Sequence, residues 1–304
     1  MQPNLFIVGA PKCGTTAWVE FLRSHPQIFF PAVKEPYHFC SDLSPSWRMT
    51  DRAEYLRLFN RADNSTVLGD ASVWYLLSEV AARNIHSFNP EAKIIILLRD
   101  QEDQLPSLHN QLLFNGIENI RDFQAAWAAS ARRDSSNMPP RSMDPALLDY
   151  RKQGRFSPQI ERYFAEFPSE QIRVFHFNDW TRHPRSIYLE ILDFLAIPDD
   201  GRTEFPQINE ATHHRIGALG RFTQLPPTWA LKASSLVKKV TRRTKPPLVD
   251  WLRGLNTVDG YRTTPLTDAF KREIREYYAE DNAQVERRVW RPPGEHGVGH
   301  IRAR

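Results

Sequence analysis

Residues 5–16 read Leu-Phe-Ile-Val-Gly-Ala-Pro-Lys-Cys-Gly-Thr-Thr, and no other stretch constrains the fold as tightly. An apolar, β-prone run (Leu5–Val8) ends in Gly9, a tight polar loop follows, and 15–24 has a helical pattern. A strand, a glycine-containing turn and a helix N-terminus together make an anion cradle: successive backbone N–H groups point inward and the helix dipole adds partial positive charge. Lys12 supplies a full charge, and Thr15 and Thr16 supply hydroxyls in the first helical turn. The plainer alternative is an ordinary strand-to-helix turn with a solvated lysine.

The rest of the chain repeats this alternation. Strand-like runs fall at 5–8, 67–68, 93–98 and 172–177, and helical patterns at 15–24, 52–59, 78–88, 101–114, 122–131, 157–167 and 184–195. Ile94-Ile95-Ile96-Leu97-Leu98 is apolar throughout, as expected for a central strand covered on both faces. Strands alternating with helices predict an α/β fold: a P-loop-like parallel sheet flanked by helices on both faces, with ligands beyond the carboxyl ends of the strands. With 304 residues, 41% of them hydrophobic, a single large core is possible. Pro and Ser gather in 135–145, which reads as a mobile loop. Beyond Pro198 the pattern loosens: Pro226-Pro227 and Pro246-Pro247 interrupt 197–265, and 267–278 turns helical again. The expectation is one domain over 1–304, with an α/β core in 1–197 and an irregular and helical portion in 198–304 covering the site.

Composition narrows the function classes. No run of 18 apolar residues predicts a transmembrane span, and the N-terminus has no signal-peptide pattern. The two cysteines, Cys13 and Cys40, point to a reducing, cytoplasmic setting, because one of them sits in the anion loop. A net charge of +4 suits an anionic ligand, while no nucleic-acid motif is present. His213-His214 lacks a third ligand at useful spacing, so no metal is expected. Basic residues between Lys232 and Lys245 follow an apolar stripe from Trp229 to Val240. They read as a solvated helix face, with contact to an anionic membrane surface as the sharper alternative.

The loop departs from Walker A, which places its lysine after the last glycine; here Lys12 precedes Gly14. Pro11-Lys12-Cys13-Gly14-Thr15-Thr16 instead resembles the 5′-phosphosulfate loop of sulfotransferases that use 3′-phosphoadenosine 5′-phosphosulfate (PAPS). Lys93–Leu98 leads into Arg99-Asp100 and a helix carrying Ser107, about two turns on. In the family that strand–Arg–helix–Ser unit holds the 3′-phosphate, an Arg gripping it bidentately. The family's Arg-Asp/Asn-Pro is Arg99-Asp100-Gln101 here, and the residues alone equally allow a helix cap with a solvated serine. Lys34-Glu35-Pro36-Tyr37-His38-Phe39 resembles the Lys-Glu-Pro segment of glycan-type members, which makes Glu35 the implied base and Lys34 a substrate contact. Gly69-Asp70-Ala71-Ser72-Val73-Trp74-Tyr75 matches a segment that lines the acceptor cleft; Asp70, Trp74 and Tyr75 are its candidate residues, with core aromatics and a turn-forming Asp as the alternative. Arg215 falls where the family has a loop over the nucleotide. Ala17 stands where the small-molecule branch has an adenine-contacting Trp, so the resemblance leans to the glycan-type branch.

The resemblance spans roughly the first two hundred residues. It implies an in-line transfer of a sulfuryl group from PAPS to a hydroxyl of a carbohydrate or carbohydrate-like metabolite. Glu35 is the implied base, Lys12 and the loop N–H groups stabilise the leaving phosphate, and no metal is required. The alternatives are a P-loop small-molecule kinase using ATP and Mg²⁺, against which the position of Lys12 speaks, and a non-catalytic anion-binding fold.

Overall fold

The computed structural model describes residues 1–62, 65–133, 138–139, 142, 144–207 and 265–289, with the backbone of two short strands at 212–214 and 257–259. Arg215, the basic segment 229–246, the two Pro-Pro interruptions and most of 135–145 lie outside the described residues.

Five parallel strands form one sheet: β1 (Leu5–Gly9), β2 (Ile28–Phe29), β3 (Val67–Ala71), β4 (Lys93–Leu98) and β5 (Ile172–His176), in the order β2-β3-β1-β4-β5. Every residue of β1 and β3 is buried, and so is β4 after Lys93. Because side chains alternate between faces along a strand, burial at every position means that both faces are covered. The sheet is the α/β fold that the alternating pattern predicts. Its order is set by how the chain leaves β1 and β4. From β1 it travels toward β2 on one side, and from β4 it travels toward β5 on the other. The carboxyl ends of these two paired central strands therefore border a topological switch point.

Among the described residues the α-helices are α1 (Thr15–Arg23), α2 (Arg52–Arg57), α3 (Ala81–Phe88), α4 (Gln101–Phe114), α5 (Phe123–Ser130), α6 (Tyr150–Gln153), α7 (Phe156–Glu166), α8 (Phe177–Arg182), α9 (Pro184–Leu195), α10 (Asp268–Tyr277) and α11 (Ala279–Val289). Where their limits differ from the sequence pattern, caps account for it. Asp122 and Thr267 stand just outside α5 and α10, each accepting the N–H three residues on. Ser78 precedes α3 and accepts the Ala81 N–H at 3.1 Å, so the helix begins later than the pattern implies. The chain leaves β5 one residue early, because Phe177 starts α8 and the His176 ring accepts from the Asn178 N–H. Strand β2 is only two residues long, too short for any periodicity to reveal. Two further strands, β6 (Thr212–His214) and β7 (Thr257–Asp259), pair antiparallel, with His213 opposite Val258.

Candidate active site

The anion loop opens where β1 ends. The Ala10 N–H still bonds to the Leu97 carbonyl of β4 at 2.6 Å, so the loop leaves the sheet beside the end of β4. Gly9 is held at φ 144°, and a Cβ there would lie 2.7 Å from the Val73 carbonyl. Gly14, at φ 92°, begins α1 beneath the indole of Trp180, where a Cβ would sit 2.2 Å from a ring carbon. Only glycine fits either place. Cys13 is fully buried, its Sγ 3.6 Å from the Pro11 carbonyl, and burial pushes its thiol pKa well up.

Helix α4 runs along this loop. Gln104 Nε2 donates to the Pro11 carbonyl at 3.1 Å, and Lys12 Nζ donates to Gln111 Oε1 at 3.3 Å. Ser107 stands three residues after the first and four before the second, so the spacing puts it on the same face. At the end of β4, Arg99 Nη1 reaches the Lys12 carbonyl at 3.5 Å, and its guanidinium lies 4.4 Å from the centre of the Phe177 ring. The anion-loop and arginine motifs, 87 positions apart from Lys12 to Arg99, thus form one surface, as their neighbouring strands require.

The Lys-Glu-Pro segment closes the other side. Lys34 Nζ donates to Thr16 Oγ1 and lies 3.8 Å from Glu35 Oε1. Tyr37 Oη donates to Glu35 Oε2 at 2.5 Å. Lys12, Glu35 and Tyr37 are three of the four non-glycine residues with positive φ among the described ones, at 65°, 58° and 52°. Such conformations are uncommon and cluster where surrounding contacts dictate a side chain's direction. Burial, then the nearby charges of Arg99 and Lys34, lowers the pKa of Lys12, which Glu35 partly offsets. Burial likewise lowers that of Lys34. Three cations around one carboxylate leave a positive excess directed at the helix N-terminus.

Asp70 lies beneath this surface. It is 0% exposed and accepts from Tyr55 and Tyr75 hydroxyls at 2.8 Å each and from Ser72 Oγ at 2.8 Å. Ser72 Oγ in turn accepts the Tyr37 N–H at 3.3 Å. Burial raises the Asp70 carboxyl to about 6 against the lowering effect of its three hydroxyl donors. Trp74 and Tyr75, 8% and 0% exposed, are core residues in this structure. The structure therefore brings Lys12, Thr16, Lys34, Glu35, Arg99 and Ser107 together, and places Asp70, Trp74 and Tyr75 one layer below. Tyr37, Gln111, Trp180 and Trp47, which meets Tyr37 edge-on at 4.6 Å, were not singled out by sequence. The spacing of Gln111 from Ser107 is a signal that points to it; Trp180 carries none.

A cavity of about 270 Å³ lies at the opposite end of the sheet, lined by Asn4, Gln27, Thr66, Val67 and Lys93, and none of the candidate site residues lines it. Among the described residues no group of three His, Cys, Asp or Glu side chains is placed to hold a metal ion, and no helix is long and apolar enough to cross a membrane.

An anion cradle at the switch point, with a carboxylate near enough to influence the pKa of its lysine, is the arrangement of a P-loop-like transferase. The chain belongs to the sulfotransferase-domain family, whose model matches residues 2–214. It is 29% identical to mouse (Mus musculus) carbohydrate sulfotransferase 15 over 34% of this chain and 26% of the relative. It is 31% identical to mouse heparan sulfate glucosamine 3-O-sulfotransferase 6 over 36% of this chain and 31% of the relative. The matches thus span about a quarter to a third of these relatives' length. A sulfotransferase from Alicyclobacillus acidocaldarius superposes with a TM-score of 0.61 at 26% identity, covering 83% of this chain and 99% of that one.

Proposed function

We propose that this protein transfers a sulfuryl group from PAPS to a hydroxyl of a carbohydrate or carbohydrate-like metabolite. The observation that carries the reading is the convergence of Lys12, Arg99 and Glu35 on one helix N-terminus. Among the described residues neither Lys12 nor Arg99 makes a salt bridge. A half-buried pair of cations at a helix N-terminus suits a phosphate-bearing ligand. Residues Pro11–Thr16 would hold the 5′-phosphosulfate, and Arg99 with Ser107 the 3′-phosphate. The relatives named for carbohydrate and heparan sulfate chemistry support the acceptor class.

PAPS supplies the sulfuryl group and a phosphate leaving group. Glu35, oriented by Tyr37 Oη and Lys34, takes the proton from the acceptor hydroxyl as its oxygen attacks sulfur. Lys12 and the loop N–H groups neutralise the charge that grows on the departing oxygen. Burial and neighbouring cations lower the pKa of Lys12, so an incoming dianion strengthens its protonated form. Both cysteines are free and buried, which supports a reducing, cytoplasmic setting.

Thermal unfolding with the product 3′-phosphoadenosine 5′-phosphate (PAP), against ATP with Mg²⁺, tests the reading. PAP at saturation should raise the midpoint by on the order of a few degrees and ATP with Mg²⁺ far less. A rise with ATP and Mg²⁺ alone would overturn the reading in favour of phosphoryl transfer.

A further inference from the structure

The three residues after Arg99 tie the start of α4 to three separate parts of the molecule. Asp100 accepts from Asn178 Nδ2 at 3.1 Å and lies 3.2 Å from His176 Nε2 at the end of β5. Gln101 is buried; its Nε2 donates to the Gly154 carbonyl at 3.1 Å and to Asn282 Oδ1 at 2.7 Å, and its Oε1 accepts from Asn282 Nδ2 at 3.2 Å. Glu102 pairs with Arg275 at 2.7 Å. Arg275 belongs to α10 and Asn282 to α11, so this helical pair, beyond the segment matched by the family model, grips the helix turn next to Arg99. A small cavity of about 30 Å³ beside this bridge is lined by Arg99, Gln101, Asn282 and Val285.

The pair has its own anchors. Asp281 accepts the Phe156 N–H at 2.8 Å at the start of α7, and Tyr278 Oη donates to the Tyr150 carbonyl at 2.9 Å. The Tyr278 ring also fills the space over Gly154, where a Cβ would lie 2.6 Å away. Losing Asn282 therefore leaves the helices docked.

Gln101 is where this chain departs from the Arg-Asp/Asn-Pro pattern it otherwise resembles. Proline at a first helical position fixes φ and needs no partner for its missing N–H. Glutamine does neither, and here a two-way amide bridge to another helix takes over the task. The backbone still has the form that proline demands, since Asp100 sits at φ −54° and ψ 129°. We propose that the Gln101–Asn282 bridge is a positioning device that sets Arg99 for the donor's 3′-phosphate, so that the C-terminal helical pair governs 3′-phosphate recognition. The proposal rests on Arg99 being the 3′-phosphate ligand.

The test compares binding of PAP and adenosine 5′-phosphate, which lacks the 3′-phosphate, to the full-length protein and its variants. Asn282→Ala should cut the preference for PAP by about ten-fold, with affinity for adenosine 5′-phosphate unchanged. Gln101→Pro in the Asn282→Ala background should restore that preference, because the ring replaces the bridge. An Asn282→Ala protein that melts earlier yet keeps the wild-type PAP preference would make the bridge structural only and overturn the proposal. A wild-type protein with no preference for PAP would instead remove Arg99 as the 3′-phosphate ligand, a separate failure. If Gln101→Pro fails to restore preference in a protein that folds, rigidity at this turn is not the cause and the proposal falls.

Discussion

The two sides of the site are built differently. The cradle of Ala10–Thr16 and Arg99 hangs from the ends of two paired central strands, and its shape is set by backbone: the sheet hydrogen bond at Ala10 and the two glycines at positive φ. The Glu35 side, Lys34–Tyr37, sits on a loop held mostly by side chains. Tyr37 leans on Ser72 and Trp47, while the Met49 N–H bonds to the Pro36 carbonyl at 2.8 Å. A cradle made of backbone tolerates side-chain change wherever the glycines and the lysine are kept. A carboxylate held through a few side-chain hydrogen bonds is open to adjustment one bond at a time.

Breaking the cradle should have the largest effect. Lys12→Ala should abolish the PAP-induced rise in melting temperature and lower kcat/KM by at least about 10³-fold. Glu35→Gln should separate the two sides: PAP still binds, while kcat falls about 10²–10³-fold. Near-normal turnover in that variant would take the base role from Glu35. Tyr37→Phe should lower kcat about ten-fold and leave PAP affinity as it is, because only one hydrogen bond to Glu35 is lost. An equal loss in PAP affinity would show that the two sides are not separable there.

The smallest effect is on stability. Burial raises the Asp70 carboxyl from 3.8 to about 6 in the folded protein. The folded state then holds this proton more tightly than the unfolded chain, so the associated stability is complete below about pH 4 and is lost as pH rises through 6. Asp70→Asn cannot titrate. Urea unfolding at both pH limits should show the wild type losing on the order of 2 kcal/mol against the variant across that range. A constant difference would mean that Asp70 titrates normally.

The cradle was legible in sequence because a β–loop–helix anion site is local: strand, glycine, lysine and threonines stand in one run of twelve residues. The Arg99 unit was legible because β4 is apolar and buried at every step after Lys93, and such a strand must have its end near the centre of the sheet. The Lys-Glu-Pro segment was legible only through resemblance, since nothing in its composition distinguishes Glu35 from any exposed glutamate. Asp70 shows the opposite case. Its motif drew attention, but only tertiary packing shows three hydroxyls closing over it in the core. Likewise Trp180 lies over Gly14, 166 positions away, and no local pattern encodes that meeting. Gln101 was visible as a departure from pattern, whereas its partner Asn282 was not, because 181 residues separate them.

The buried thiol of Cys13 has a practical consequence. It sits inside the loop, sealed from solvent and held in its unreactive protonated form. Alkylation must therefore wait for the loop to open, which makes the labelling rate a clock for local unfolding at the anion loop. Cys40, also buried but outside the loop, serves as the internal reference in the same molecule. A ligand that closes the cradle should slow the first clock and leave the second running.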